Sequence, residues 1–260
     1  MPIVVDTHVH LYPGYDLAEG LPAVAARLRS LAPGAVPAVC LTERTGQHVF
    51  QALAEGRVSV GTSMEMTLVE GGSGSAVCLR DEVGPFYILP GRQMVTAERL
   101  EILALGRDLA LADGARAESM IQTILKTEAI PVLTWAFGKW WFGRSHQVRA
   151  LVARFAPEEL WLGDTTMRPR EWPRGTIMRG AIANGRRVLA GSDPLPSPAE
   201  FALAGRYATL LNGALNPNDP VASILQGFRG LPPGGRTVGG RCWLLAVLMR
   251  LRRYRAPTGR

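Results

Sequence analysis

Short apolar runs separated by amphipathic stretches are the first pattern in this 260-residue chain. Residues 3–5 are a β-branched run that predicts a buried strand. Residues 21–31 carry apolar side chains at helical spacing, with Ala25, Leu28 and Leu31 on one stripe, and Pro33-Gly34 ends them. Further strands are predicted at 35–41, 58–64, 130–134, 160–162 and 188–190, with short apolar runs at 86–89 and 101–105. Helices are predicted at 47–54, 115–127, 145–155, 175–184, 198–211 and 221–228. A Gly/Ser-rich connection at 70–75 between runs at 66–69 and 76–79 reads as a β-hairpin inserted into this order. Strand–helix alternation of this kind predicts a parallel α/β sheet. Polar residues recur where the strands end, which favours closure into a distorted TIM-like barrel of seven or eight β/α units. Residues 1–229 would form that barrel, and 230–260 a Gly/Pro linker with a C-terminal helical tail.

The polar strand ends carry the candidate chemistry. The first strand runs into Asp6-Thr7-His8-Val9-His10, and alternate strand residues share a face. His8 and His10 can therefore point together, as imidazole ligands of a metal must. Glu43, Gln93, Asp164 and Asp193 fall at or just after other strand ends. Each has a plainer reading: Glu43 can cap the next helix, and Asp193 before Pro194 can make an Asx-turn.

Composition changes this picture little. The formal charge is +7, but the chain from Pro220 onward holds eight arginines and no acid, so the remainder sums to −1. A general nucleic-acid surface is not implied. Three cysteines without ligand spacing suggest free thiols in a reducing, cytoplasmic setting, and no secretory pattern opens the sequence. The residues 242–249 are apolar but too short to span a bilayer. Leu244, Val247, Leu248, Leu251 and Tyr254 form a stripe with Arg250, Arg252, Arg253 and Arg255 around its end. That helix can pack on the barrel with solvated arginines, or lie on an anionic membrane surface or a protein partner.

An aromatic stretch, Trp135 to Phe142, surrounds Lys139 and precedes Arg144 and His146. It can form a pocket wall in which Lys139 and Arg144, with Arg92 nearby, bind a phosphate or carboxylate, or it can be a packed core edge.

The motif Asp6-Thr7-His8-Val9-His10-Leu11-Tyr12-Pro13 resembles the opening of metal-dependent hydrolases on amidohydrolase-like barrels, including the polymerase-and-histidinol-phosphatase (PHP) family. Thr42-Glu43-Arg44 is similar to the second PHP motif, the segment from Pro90 through Gln93 to Gly106 to the third, and the Gly191-Ser192-Asp193 motif to the last. The resemblance covers about residues 3–200, in family order. It implies a divalent metal site (Zn, Mn or Fe, one or two ions) with His8, His10, Asp193, Glu43 and Gln93 as candidate ligands. It departs from the family where Arg44, Gln93 and Trp135 replace expected ligands, and no histidine follows Asp193. The implied activity is hydrolysis of a phosphoester or amide-like bond in a small anionic substrate through a metal-activated water. Asp193 would be the catalytic general base and Glu43 a bridging or supporting carboxylate, and Lys139, Arg144, Arg92, Trp135 and Asp164 would meet the substrate. The alternative is a degenerate barrel that binds an anion or a protein partner, with Arg44 in a lost ion's place bridging the carboxylates.

Overall fold

The computed structural model describes residues 1–136, 138, 140 and 143–255, with backbone only at 255. The first strand, β1 (Ile3–Val9), is buried along its whole length. Helix α1 (Leu17–Leu31) starts at Asp16, whose carboxylate accepts from the Ala18 and Glu19 N–H groups. Strand β2 (Val36–Leu41) lies parallel beside β1, and the short helix α2 (Val49–Ala54) follows. Strands β3 (Glu65–Gly71), β4 (Gly74–Asp81) and β5 (Gly84–Leu89) form an antiparallel meander. Strands β6 (Gly91–Val95) and β7 (Glu101–Leu105), helix α3 (Ala117–Leu125), strand β8 (Ile130–Thr134) and helix α4 (Gly143–Arg154) come next. Strand β9 (Trp161–Thr165), helix α5 (Thr176–Ala183), strand β10 (Val188–Gly191) and a 3₁₀ turn (Pro198–Leu203) lead to strand β11 (Tyr207–Leu211). Helix α6 (Pro220–Arg229), strand β12 (Thr237–Gly239) and helix α7 (Leu244–Arg255) complete the described chain.

Among the described residues the strands make two sheets and no closed ladder. One has seven strands in the order β12-β11-β1-β2-β5-β4-β3, the other five in the order β10-β9-β8-β7-β6. A parallel TIM-like barrel is therefore not what forms. The five residues between β6 and β7 are too few for a parallel crossover, so this pair is antiparallel, as is β7 with β8. Strand β11 also runs antiparallel to β1. The expected helix at 198–211 is divided: Gly205 takes a φ of +77°, and the chain beyond it pairs as β11. No strand forms at 58–64. The hairpin at 66–79 exists, but it extends a sheet rather than decorating one, because β5 returns to pair parallel with β2.

The sheets meet at two seams, each built around a glycine. At the first, an isolated bridge joins Glu43 to Arg92, and the Glu43 N–H donates to Gly91 O. A Cβ on Gly91 would collide with Leu41 O and stand 2.8 Å from Ala104 O. At the second, Asp193 N–H donates to His8 O at 2.8 Å and the Thr7 hydroxyl to Ala190 O at 3.0 Å. A Cβ on Gly191 would collide with the His8 side chain and lie 2.6 Å from the His8 nitrogen. Neither obstacle is a flexible side-chain tip. Gly191→Ala is therefore expected to cost on the order of 3 kcal/mol, measured by denaturant unfolding, whereas Gly180→Ala, with open space around it, should be neutral or stabilising.

Between the sheets lies a core that includes Ile3, Val5, Ala38, Cys40, Leu89, Leu103, Val132 and Leu189, and α6 packs into it through Ile224, Leu225 and Phe228. A second cluster under α1 takes both Val4 and Val9. These two are five positions apart, an odd step, so strict alternation cannot hold between them. The β1–β2 register shifts between Asp6 and Val9. This bulge turns the end of the strand over, which puts His8 and His10 on the side facing the second sheet.

Candidate metal centre

Three side chains converge where β1 and β10 end. His8 Nε2 and His10 Nε2 are 3.1 Å apart, and Asp193 Oδ1 is 3.6 Å from the first and 3.8 Å from the second. Their donor atoms all lie within 4.8 Å of one another. Ligands held at about 2.05 Å around a tetrahedral ion stand about 3.3 Å apart, so these spacings suit one small divalent cation. The chemistry fits as well. Both imidazoles are buried, and burial, followed by the neighbouring His8, lowers the His10 pKa to about 3, so its ring is neutral. Both Nε2 atoms face one another and the Asp193 carboxylate, and so are aimed at a shared point. Gln93 Oε1 sits 2.8 Å from His8 Nε2, so the neutral amide faces the same point.

Asp193 is held in an unusual conformation. Its φ is +52°, in the left-handed region that costs a residue with a Cβ. Both its backbone groups are fixed. The N–H donates to His8 O, and the carbonyl accepts from Arg250 Nη2 at 2.9 Å. Arg250 belongs to α7 and is buried. Its Nε donates to both Glu200 oxygens, at 2.9 and 3.1 Å, and its Nη1 to the Thr166 hydroxyl at 2.8 Å. That hydroxyl in turn donates to Ser192 O. One guanidinium thus clamps the Ser192–Asp193 backbone directly and through Thr166.

Asp6 binds the same turn to β1. Its carboxylate accepts from Ser192 N–H at 2.8 Å, Gly205 N–H at 2.7 Å and His8 N–H at 3.2 Å. Complete burial raises its pKa to about 6, against which these N–H donors pull it down. Although it lies within the first motif, it holds the turn after β10 to the end of β1.

The remaining candidates divide. Glu43 does not join the cluster. Its Oε1 accepts from the Val49 and Phe50 N–H groups and so caps α2, as the plainer reading of the sequence allows. Arg92 is turned away from the mouth and bonds Asp108, Gln47 O and Arg44 O. Asp164 is buried in an ion pair with Arg168 and accepts from the Tyr207 hydroxyl. Trp135 is packed in the core between β8 and α4, where it lines a different cavity with Trp140. Arg144 lies on α4 and is not among the residues lining the cavity at the cluster. Lys139 lies outside the described residues.

A cavity of about 250 Å³ opens over His10 and Asp193, lined also by Tyr12, Arg44, Gln93, Glu101, Leu251 and Tyr254 among others. Arg44 stands at its side near Tyr12 and Tyr254. Among the described residues it makes no ion pair with Asp193 or Glu43. Tyr12, Tyr254 and Arg250 were not singled out as site residues from the sequence. Tyr12 follows the His8/His10 motif at the same i, i+2 spacing and could have been found. The two residues on α7 carried no such signal.

No family model matches the chain, and no curated protein does. Solved structures do share its fold. PsfC from Pseudomonas syringae PB-5123 superposes with a TM-score of 0.60 at 17% identity, over 98% of each chain. The lesion-specific endonuclease PfuEndoQ from Pyrococcus furiosus gives 0.52 at 14% identity, over 92% of this chain. Endonuclease Q in complex with a 27-mer duplex bearing an abasic lesion also gives 0.52, at 12% identity. The chain spans 58% of the length of either endonuclease Q structure. These likenesses support a PHP-like fold.

Proposed function

We propose that this protein is a metal-dependent hydrolase of the phosphoesterase type that acts on a small anionic substrate. The observation that carries this reading is the convergence of His8, His10 and Asp193 on one point at ligand spacing. Those three residues would hold a single Zn, Mn or Fe ion, with Gln93 as a weak neutral neighbour, which disfavours a second ion. When bound, the ion supplies a Lewis acid and an acidified water. Asp193, through its second oxygen, accepts the proton of the attacking water. Arg44, with the Tyr12 and Tyr254 hydroxyls, faces the negative charge of the substrate from the side of the cavity.

Two other readings compete. The degenerate-site reading asks Arg44 to take an ion's place among the carboxylates, and Arg44 instead turns to two tyrosines. DNA as substrate is suggested by the endonuclease Q likeness. The small cavity and the −1 charge of residues 1–219 favour a small molecule. Elemental analysis of protein purified without chelator tests the proposal. It should return about one equivalent of a transition metal, and a chelator-stripped sample should regain one on titration with Zn²⁺ or Mn²⁺. A protein that arrives metal-free and takes up neither ion sinks the hydrolase reading.

A further inference from the structure

We propose that the outward face of α7 docks on an anionic lipid surface. The helix has two unlike sides. Val247 is fully buried and Arg250 nearly so, and this side packs on the ligand turn. On the other side Leu245 is 68% exposed, Met249 47% and Leu248 46%. Trp243, just before the helix, is 54% exposed. These four make up half of the eight large apolar side chains that the described residues leave exposed. A scattered few would need no explanation, but a cluster on one short helix does.

Charge selects the occupant. Arg252 and Arg253 are exposed on the turn that follows Met249, and Arg170 stacks on Trp243 at 3.7 Å. Glu200 meets the helix on its buried side, through Arg250, and Glu171 lies at its N-terminal end, where its carboxylate accepts from Leu244 N–H. Apolar side chains flanked by arginine and tryptophan are what a helix lying in a headgroup layer presents. No helix among the described residues is long and apolar enough to cross a membrane, so α7 would lie on the surface. A second copy of the chain fits less well. A 12-residue helix is about 18 Å long, and one face of it falls far short of the roughly 800 Å² that each partner buries in a stable dimer.

Sedimentation with vesicles of phosphatidylcholine, with and without phosphatidylglycerol, tests this without reference to the metal site. The full chain should bind the anionic vesicles at least ten times more strongly than the neutral ones and be released by high salt. The triple variant Leu245→Gln, Leu248→Gln, Met249→Gln should lose about tenfold in binding with an unchanged melting temperature, because those side chains are already exposed. Arg252→Gln with Arg253→Gln should lose about fivefold for each charge removed. Failure of the full chain to bind anionic vesicles overturns the proposal, as does binding that survives the triple variant. A concentration-dependent dimer abolished by that variant also overturns it and assigns the face to a second copy.

Discussion

His8→Ala and Asp193→Ala are each expected to lower Zn²⁺ affinity by about 100-fold or more, and any hydrolytic turnover with it. Each removes one of the three donors that converge at ligand spacing. Gln93 is neutral, and Glu43 stands outside the cluster, with its Oε1 on the α2 N–H groups. The informative control is Glu43→Gln. It should leave metal uptake intact and lose about 1 kcal/mol of stability through a weaker helix cap. Competition for the metal against a chelator of known affinity, with denaturant unfolding alongside, separates the two behaviours. Normal uptake by Asp193→Ala would remove that residue from the site.

Arg250→Met should have the second largest effect, and on two properties at once. The guanidinium lies among Glu200, Thr166, Cys242 and the Asp193 carbonyl. Its loss strands a buried Glu200 carboxylate, a defect that costs about 3–5 kcal/mol. It also frees the carbonyl of a residue held at positive φ, so Asp193 relaxes and metal affinity falls. The double variant Arg250→Met, Glu200→Met distinguishes these effects. Replacing both partners by apolar groups should restore most of the stability, because no charge is left unpaired. It should not restore metal affinity, since the donor to the Asp193 carbonyl is still missing. Full recovery of both would show that Arg250 acts only through the ion pair.

The two histidines and Asp193 were legible from local signals. A β-branched run ending in alternating imidazoles and a late strand ending in Gly-Ser-Asp are short-range patterns, and the structure brings them together. The two-sheet architecture was less legible. Residues 90–105 read as apolar runs in an α/β alternation, and only the short connection between them decides that they pair antiparallel. Glu43 shows the limit of position alone: a carboxylate at a strand end serves a helix terminus as readily as a metal. Arg250 could not be found in the sequence, because 27 of the 29 basic residues are arginine and nothing local marks one as buried. Its partners, Glu200 and the Asp193 carbonyl, are 50 and 57 residues away along the chain.

The arginine clamp on Asp193 also bears on when the protein becomes competent. During synthesis His8 and His10 leave the ribosome first, and the carboxylate that completes their set follows more than 180 residues later. The group that fixes this carboxylate comes later still, at position 250. On the proposed reading, the two imidazoles wait for a carboxylate and its clamp that are made much later, and the chelate can close only once the chain through Arg250 has been made and folded.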